Sequence, residues 1–581
     1  MILERTLVLV GFAALGLTLQ SKPEAALAAA SRVTVPAGAY AGARDAGPAP
    51  AATLFRIAIE LAPREDLDAL AARMTDPASP DHRRILGADE VLRRFGRHDE
   101  ASALTALIRA GGATDVHVAN DGLVAGGIFT VAAAERFFHA SWHAYAMGTR
   151  TIIAPTGPLT VPAANVRDVR GAVLWTTPRL ADTRAAFTYF RGDWYEPTRF
   201  RSMTQAVDQG GASQRIVLVE DASDRFDIAD VTKFLASPGS PPGADLRRVT
   251  DHTYVFKAPS QDCGRDDRGQ EAALDVQAAI TAAPLAEVVA SYDDVCSAGN
   301  DGTLALARAL DLEPTVIVFP FAVGPARGPT VQRYGKTPLP FLEAMVRGIP
   351  VVVPSGDDGA YGYRENGVER PDVAWPCVSI YVVCAGGTQL GDRDGVTDEA
   401  PWNDLEHAGG GGLSEEPRPS WQDAPAEFAF SPGYVKVRMV PDVSADAAGH
   451  LRIYWHGYGL GGVGGTSESA ALVGGTLAAI NSLVGPQKRL LTAGDLYALA
   501  RTTPAAFRDI TRENDRGWRD NTLRPRRKPL AKTFRGVIPT PAPFVQGCAA
   551  LQPDGCTAAK GYDSVTGIGS IMSRAAVDAL R

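Results

Sequence analysis

Apolar and polar positions follow two different patterns along the chain. In the first part, short amphipathic segments alternate in type. Leu54 to Leu61 reads as a strand and Arg64 to Met74 carries helical periodicity. A turn at Asp76-Pro77-Ala78-Ser79-Pro80 follows. Ala88 to Phe95 and His98 to Ala110 are expected helices, the second ended by Gly111-Gly112. Asp115 to Val118 and Leu123 to Val131 are strand-like, and Ala132 to Phe138 is helical. This order predicts a small α+β module with a split βαβ (ferredoxin-like) pattern, ending near Trp175 to Pro178. Residues 31 to 53, rich in Ala, Gly and Pro, read as a linker ahead of it.

After about Leu180 the apolar runs become short and continuous. Arg215 to Val219, Thr315 to Phe319, Pro350 to Val353 and Ile380 to Val383 are strands of buried type. Helical stretches such as Asp227 to Leu235 and Phe341 to Arg347 lie between them. Alternation of this kind predicts an α/β domain, a parallel sheet flanked by helices. Functional residues in such sheets gather at the carboxyl ends of the strands.

One stretch changes the picture from fold to chemistry. Gly464-Gly465-Thr466-Ser467-Glu468-Ser469 follows a glycine-rich segment and opens an apolar, alanine-rich helix over 470–483. Ser467 therefore falls in a helix's first turn, where backbone N–H groups are free and the dipole favours negative charge. Glu271 and Asp275 stand four apart near the start of another helix, among Ala272, Ala273, Leu274 and Val276. Carboxyls on so apolar a helix need a partner or a proton. Asp357 follows the run Val351 to Pro354 and would stand at a strand's carboxyl end.

Composition narrows the function classes. The chain has 581 residues, 45% hydrophobic and 21% charged, with a net charge of −8. No long basic run occurs, so nucleic acid is excluded as an expected partner. The apolar run from Thr6 to Leu19 is too short to span a bilayer comfortably. With small residues at Ala26 to Ala30 it reads as a secretory signal over residues 1–30, so a secreted or periplasmic location without stable membrane insertion is expected. An exported chain can form disulfides from its six cysteines. Pairing neighbours, Cys263–Cys296, Cys377–Cys384 and Cys548–Cys556, is the simplest arrangement, and the sequence leaves other connectivities open.

Taken together, Ser355-Gly356-Asp357, Glu271-x-x-x-Asp275 and Gly465-Thr466-Ser467 resemble the three signatures of the sedolisins, the serine-carboxyl peptidases. The Asp76 to Pro80 turn with Phe95-Gly96 is similar to that family's activation prodomain. Ala385 to Thr388, Trp402-Asn403, Gly409 to Ser414, Pro419 to Gln422 and Pro441 to Asp446 look like its catalytic-domain landmarks, in order. The resemblance implies a subtilisin-like peptidase domain over 181–581 behind a prodomain with linker over 31–180. It makes Ser467 the nucleophile, Glu271 the general base, Asp275 the group behind that base, and Asp357 a contributor to the oxyanion hole. It also implies one structural Ca²⁺, held by the Asp509 and Asp563 side chains and backbone oxygens of Ile510, Ala559 and Gly561. Hard oxygen ligands suit calcium. Protein or peptide substrates, a prodomain acting as intramolecular inhibitor, self-processing within about residues 175–205 and a monomer are the corresponding expectations. Because a carboxyl donates to an oxyanion only when protonated, an acid optimum follows from the residue types.

Three features depart from the family pattern: Ala471 where a proline is usual, the extra carboxylate Glu468, and Phe319-Pro320-Phe321-Ala322 in place of Ser-Trp-Gly. Three other readings compete with an endopeptidase of this family. A Ser-His-Asp peptidase of subtilisin type needs a histidine at a strand–turn–helix junction, and His252, His407, His450 and His456 lack that context. A tripeptidyl-peptidase, or a catalytically silent exported binding protein, would use the same fold.

Overall fold

The computed structural model describes residues 32–35, 44–147, 150–162, 169–174, 186–187, 194–222, 224–253, 269–293, 302–322, 337–357, 359, 363–365, 368–370, 373–393, 396–402, 407–422, 437–511, 558 and 560–581. The expected signal segment, Cys263, Cys296, Cys548, Cys556, Ala559 and the junction at 175–180 lie outside them. Among the described residues, no helix is long and apolar enough to cross a membrane.

The N-terminal module is the predicted split βαβ unit. Strand β1 (Leu54–Leu61) is followed by helices α1 (Leu67–Thr75), α2 (Ala88–Phe95) and α3 (His98–Ala110). Then come β2 (Thr114–Val118), β3 (Val124–Thr130), α4 (Val131–Phe138) and β4 (Val169–Leu174). The sheet order is β2-β3-β1-β4, with β1 antiparallel to both neighbours. Helix starts are capped as local chemistry requires: Asp66 accepts from the Ala69 N–H, and Thr130 from the Ala133 N–H. Phe55, Phe129, Phe137, Phe138 and Trp142 fill the core between sheet and helices.

The linker expected over 31–53 is partly strand. Arg32–Val35 pairs with Leu159–Pro162, and Arg44–Pro48 with Trp142–Met147. Its composition hid this, because the pairing partners lie about a hundred residues away or more.

The C-terminal module is built on a ten-stranded sheet. Its main strands are β5 (Arg215–Asp221), β6 (Val249–Thr253), β7 (Glu287–Asp293), β8 (Val316–Val318), β9 (Val351–Pro354), β10 (Val383–Arg393) and β11 (Val443–Asp446). They run parallel in the order β6-β7-β5-β8-β9-β10-β11. The fold class therefore agrees with the sequence. The strand expected at Ile380 to Val383 begins only at Val383, where pairing with Val352 starts. Residues 376–381 form turns instead, closed by Ser379 N–H to Pro376 O at 2.9 Å.

Two helices run through the middle of the molecule, α5 (Gln270–Ala282) and α8 (Thr466–Asn481). All of α5 is buried, which explains its lack of a polar face. The two helices meet through small residues. A Cβ on Gly475 would sit 2.6 Å from the Ala282 Cβ, and one on Gly474 2.5 Å from Val318. Glycines here let α8 sit against α5 and the sheet together.

The two modules share a buried interface. On the C-terminal side it uses α6 (Thr303–Leu310) and α7 (Leu339–Val346). Leu67, Leu70, Met74, Val91, Phe95 and Leu123 pack with Leu339, Leu342, Met345 and Val346. Arg56 and Asp115 from one module and Asp293 and Arg308 from the other close a ring of four ion pairs at 2.9–3.2 Å. Breaking such a buried set on one side leaves uncompensated charge, so it makes the docking specific.

Candidate active site

The candidate residues sit on elements whose ends converge at the carboxyl edge of the sheet. Strand β9 ends at Pro354 and runs through Ser355 into a turn at Gly356 (φ 100°) and Asp357. Helix α8 begins at Thr466 after Gly465 (φ 152°), a conformation that favours glycine. Ser467 is in its first turn and is 6% exposed.

The turn and the helix are tied together. Asp357 Oδ1 accepts from the Thr466 N–H at 2.8 Å and from Thr466 Oγ1 at 2.7 Å. The Gly356 N–H donates in turn to Thr466 Oγ1 at 3.1 Å. Asp357 thus acts on a residue 109 positions away, at the positive end of a helix dipole. Thr466 is the bridging residue that sequence reading missed; its only signal was a hydroxyl beside the serine at a helix start.

Glu271 and Asp275 are 3% and 0% exposed. They share one face of α5, four residues apart, and α5 packs against α8. The link to the nucleophile's turn is visible at Glu468, the residue after Ser467. Its carboxyl is pushed well above the usual carboxylate range by burial first, then by Asp446, Asp275 and Glu271. Asp446 ends β11 and holds His450, with Oδ1 to Nδ1 at 2.7 Å and Oδ2 accepting the His450 N–H at 2.9 Å.

Strand Ala186–Phe187, from the stretch between the modules, pairs antiparallel with Val463–Gly464, just before the nucleophile turn. The departure at 319–322 is split in role. Phe319 and Phe321 are fully buried and pack edge to face, with centroids 5.6 Å apart. Ala322 lies close to Gly356, beside the Asp357 turn. Ala471 is buried inside α8, which continues unbroken.

The implied calcium segments also come together. Asp509 Oδ2 accepts the Gly561 N–H at 2.9 Å. Asp563 is 1% exposed, with Oδ1 accepting from Val565 and Thr566 N–H groups. Ile510 is buried beside Asp509. The carboxylates of Asp509 and Asp563 are hard oxygen donors, the kind that calcium takes. Cys377 and Cys384 are joined as a disulfide, Cα atoms 4.9 Å apart.

Comparison with known proteins gives three results. Residues 41–173 match the family model described as Pro-kumamolisin, activation domain. The chain is 32% identical over 157 residues to tripeptidyl-peptidase 1 of Mus musculus, and 31% over 160 residues to that of Bos taurus. Each alignment covers 24% of this chain and 26% of the relative, so the chain matches about a quarter of the length of those relatives. Among solved structures, Pseudomonas sedolisin (a serine-carboxyl proteinase) is similar, with a TM-score of 0.49 at 23% identity over 66% of this chain and 96% of that one. Fervidolysin from Fervidobacterium pennivorans has a TM-score of 0.41 at 12% identity, over 95% and 64%. Residues 41–173 are thus similar to a pro-kumamolisin activation domain, and the serine, glutamate and aspartate signatures that follow resemble, in order, those of the sedolisins.

Proposed function

We propose that this chain is the exported, self-processing precursor of an acid-active serine-carboxyl endopeptidase. One observation supports the reading above all. Asp357 is bound to Thr466 in the first turn of α8, which carries Ser467, and α8 packs against α5, whose Glu271 and Asp275 act on the neighbouring Glu468. Ser467 Oγ attacks the substrate carbonyl carbon while its proton passes to Glu271. Asp275 orients Glu271 and shares its charge. The oxyanion takes a hydrogen bond from the protonated Asp357 carboxyl. With Oδ1 engaged by Thr466, that proton belongs on Oδ2. Glu271 then returns its proton to the leaving amine, and water repeats the sequence on the acyl-enzyme. One Ca²⁺, held by Asp509, Asp563 and backbone oxygens of Ile510, Ala559 and Gly561, would clip distant segments together and take no part in the chemistry.

The test is a cleavage profile of the processed protein on a peptide mixture at about pH 3 to 5, an acid range in which a cluster of carboxyls holds some of its protons. Internal cuts that disappear in Ser467→Ala and Glu271→Gln, with losses of about 10⁴-fold or more, support the reading. The names of the relatives favour a second reading, removal of tripeptides from free N-termini. Products confined to N-terminal tripeptides would select it. No cleavage at any pH would mean a silent binding protein on the same fold.

A further inference from the structure

Glu468 is used by none of these steps, although it follows the nucleophile directly. It is 0% exposed. Oε2 accepts one hydrogen bond, from the Gly449 N–H at 3.2 Å. Oε1 is buried and has no hydrogen-bond partner among the described residues. The charged groups acting on it come from two directions. From α5 there are Glu271 and Asp275, and from the end of β11 there is Asp446. All three are carboxyls. His450 is bonded through its ring to Asp446.

An acid so placed has strong reason to keep its proton. Burial without a cation penalises the charged form, and three carboxyl neighbours add to the penalty. Asp446 is better compensated, since it accepts two hydrogen bonds from His450. Within a shared cluster the proton goes to the site where charge costs most.

We propose that Glu468 is a fourth carboxyl of the catalytic cluster, a positioning residue whose proton must be retained for Glu271 and Asp275 to carry the working negative charge. This rests on the reading of Glu271 as the base. Losing that proton puts an anion one residue from Ser467, where the oxyanion must also form. Ionisation of Glu468 therefore stops turnover, independently of Asp357. The alkaline side of the pH–rate profile is governed by two ionisations rather than one.

The experiment is the profile of log kcat/KM against pH for the processed parent and Glu468→Gln, at constant Ca²⁺. The parent's alkaline limb should reach a slope of about −2, since two protons must both be held. The Gln variant, neutral at every pH, should fall with a slope of about −1. Glu468→Ala provides the same comparison if the amide is poorly accommodated. In a Ser467→Ala background the parent should also lose thermal stability relative to Glu468→Gln as pH rises from about 5 to 8, because the folded state binds the extra proton. Superimposable limbs and parallel stability curves would overturn the proposal. Glu271→Gln separates the two levels. If it stays active, the reading of the base fails; if it is inactive while Glu468→Gln titrates like the parent, only the role of Glu468 fails.

Discussion

Asp357 and Thr466 are joined by two hydrogen bonds to a single carboxylate oxygen, 2.8 Å from the Thr466 N–H and 2.7 Å from its hydroxyl. The acid after β9 is thereby held against the residue immediately before Ser467. A turn aspartate serving only its own loop would have no need of that contact.

For Asp357 the expected result is graded. Asp357→Ala loses both the tie to Thr466 and the oxyanion donor, at about 100- to 1000-fold in kcat. Asp357→Asn keeps an acceptor for Thr466 and a neutral donor, so it should cost less and should make the alkaline limb shallower. A fluorogenic peptide assayed across pH distinguishes the three proteins. Equal rates and one shared profile would exclude Asp357 as the oxyanion group.

Maturation should depend on the same serine. Strand Ala186–Phe187 lies against Val463–Gly464, so the chain between the modules already passes the nucleophile turn. Ser467→Ala is expected to stay full length after purification at acid pH. The parent should acquire a new N-terminus within about residues 175–205, read by terminal sequencing. Normal processing of a protease-free Ser467→Ala preparation would contradict this.

Docking of the activation domain should weaken as pH rises. Asp121 and Glu343 face each other across the interface, and burial raises both above their ordinary values of 3.8 and 4.5. Glu343 pushes Asp121 further up, while Arg347 and the hydrogen bond with Asp121 pull Glu343 back down and Asp311 pushes both up. The folded state therefore binds protons that the unfolded state has released. Stability is full below about pH 4 and is lost as pH climbs through the raised values. In Ser467→Ala full-length protein, Asp121→Asn should melt like its parent at pH 4. At pH 7 it should melt about 1 °C higher, the shift that about 1 kcal/mol gives in a chain of this size. Parallel melting curves would remove the pair from the account.

Calcium should act on stability. Asp509 and Asp563 stand in separate segments brought together at Gly561. A ligand that binds only the folded chain raises its melting temperature by mass action. Chelator should lower the midpoint of the parent, and Asp563→Ala should begin lower and lose the response, since it also gives up its hydrogen bonds to Val565 and Thr566. An unchanged parent curve with chelator would mean that no ion is held there.

The sequence by itself determined the local elements and the identity of the chemistry. Alternation gave β1 and the buried runs gave β5, β8 and β9, because strand and helix periods are properties of neighbouring residues. The Gly-Thr-Ser turn, the four-residue spacing of Glu271 and Asp275, and the Ser-Gly-Asp after an apolar run were legible for the same reason. Tertiary structure decided what periodicity cannot encode. It brought Arg32–Val35 into a sheet with residues more than a hundred positions away and moved the start of β10 to Val383, where a partner strand was available. It packed one Arg and one Asp from each module into one buried ring, although each alone reads as an ordinary surface charge. It also surrounded Glu468 with Asp446, Asp275 and Glu271. Burial and the sum of nearby charges depend on which elements meet in space, and that is set by the folded chain as a whole.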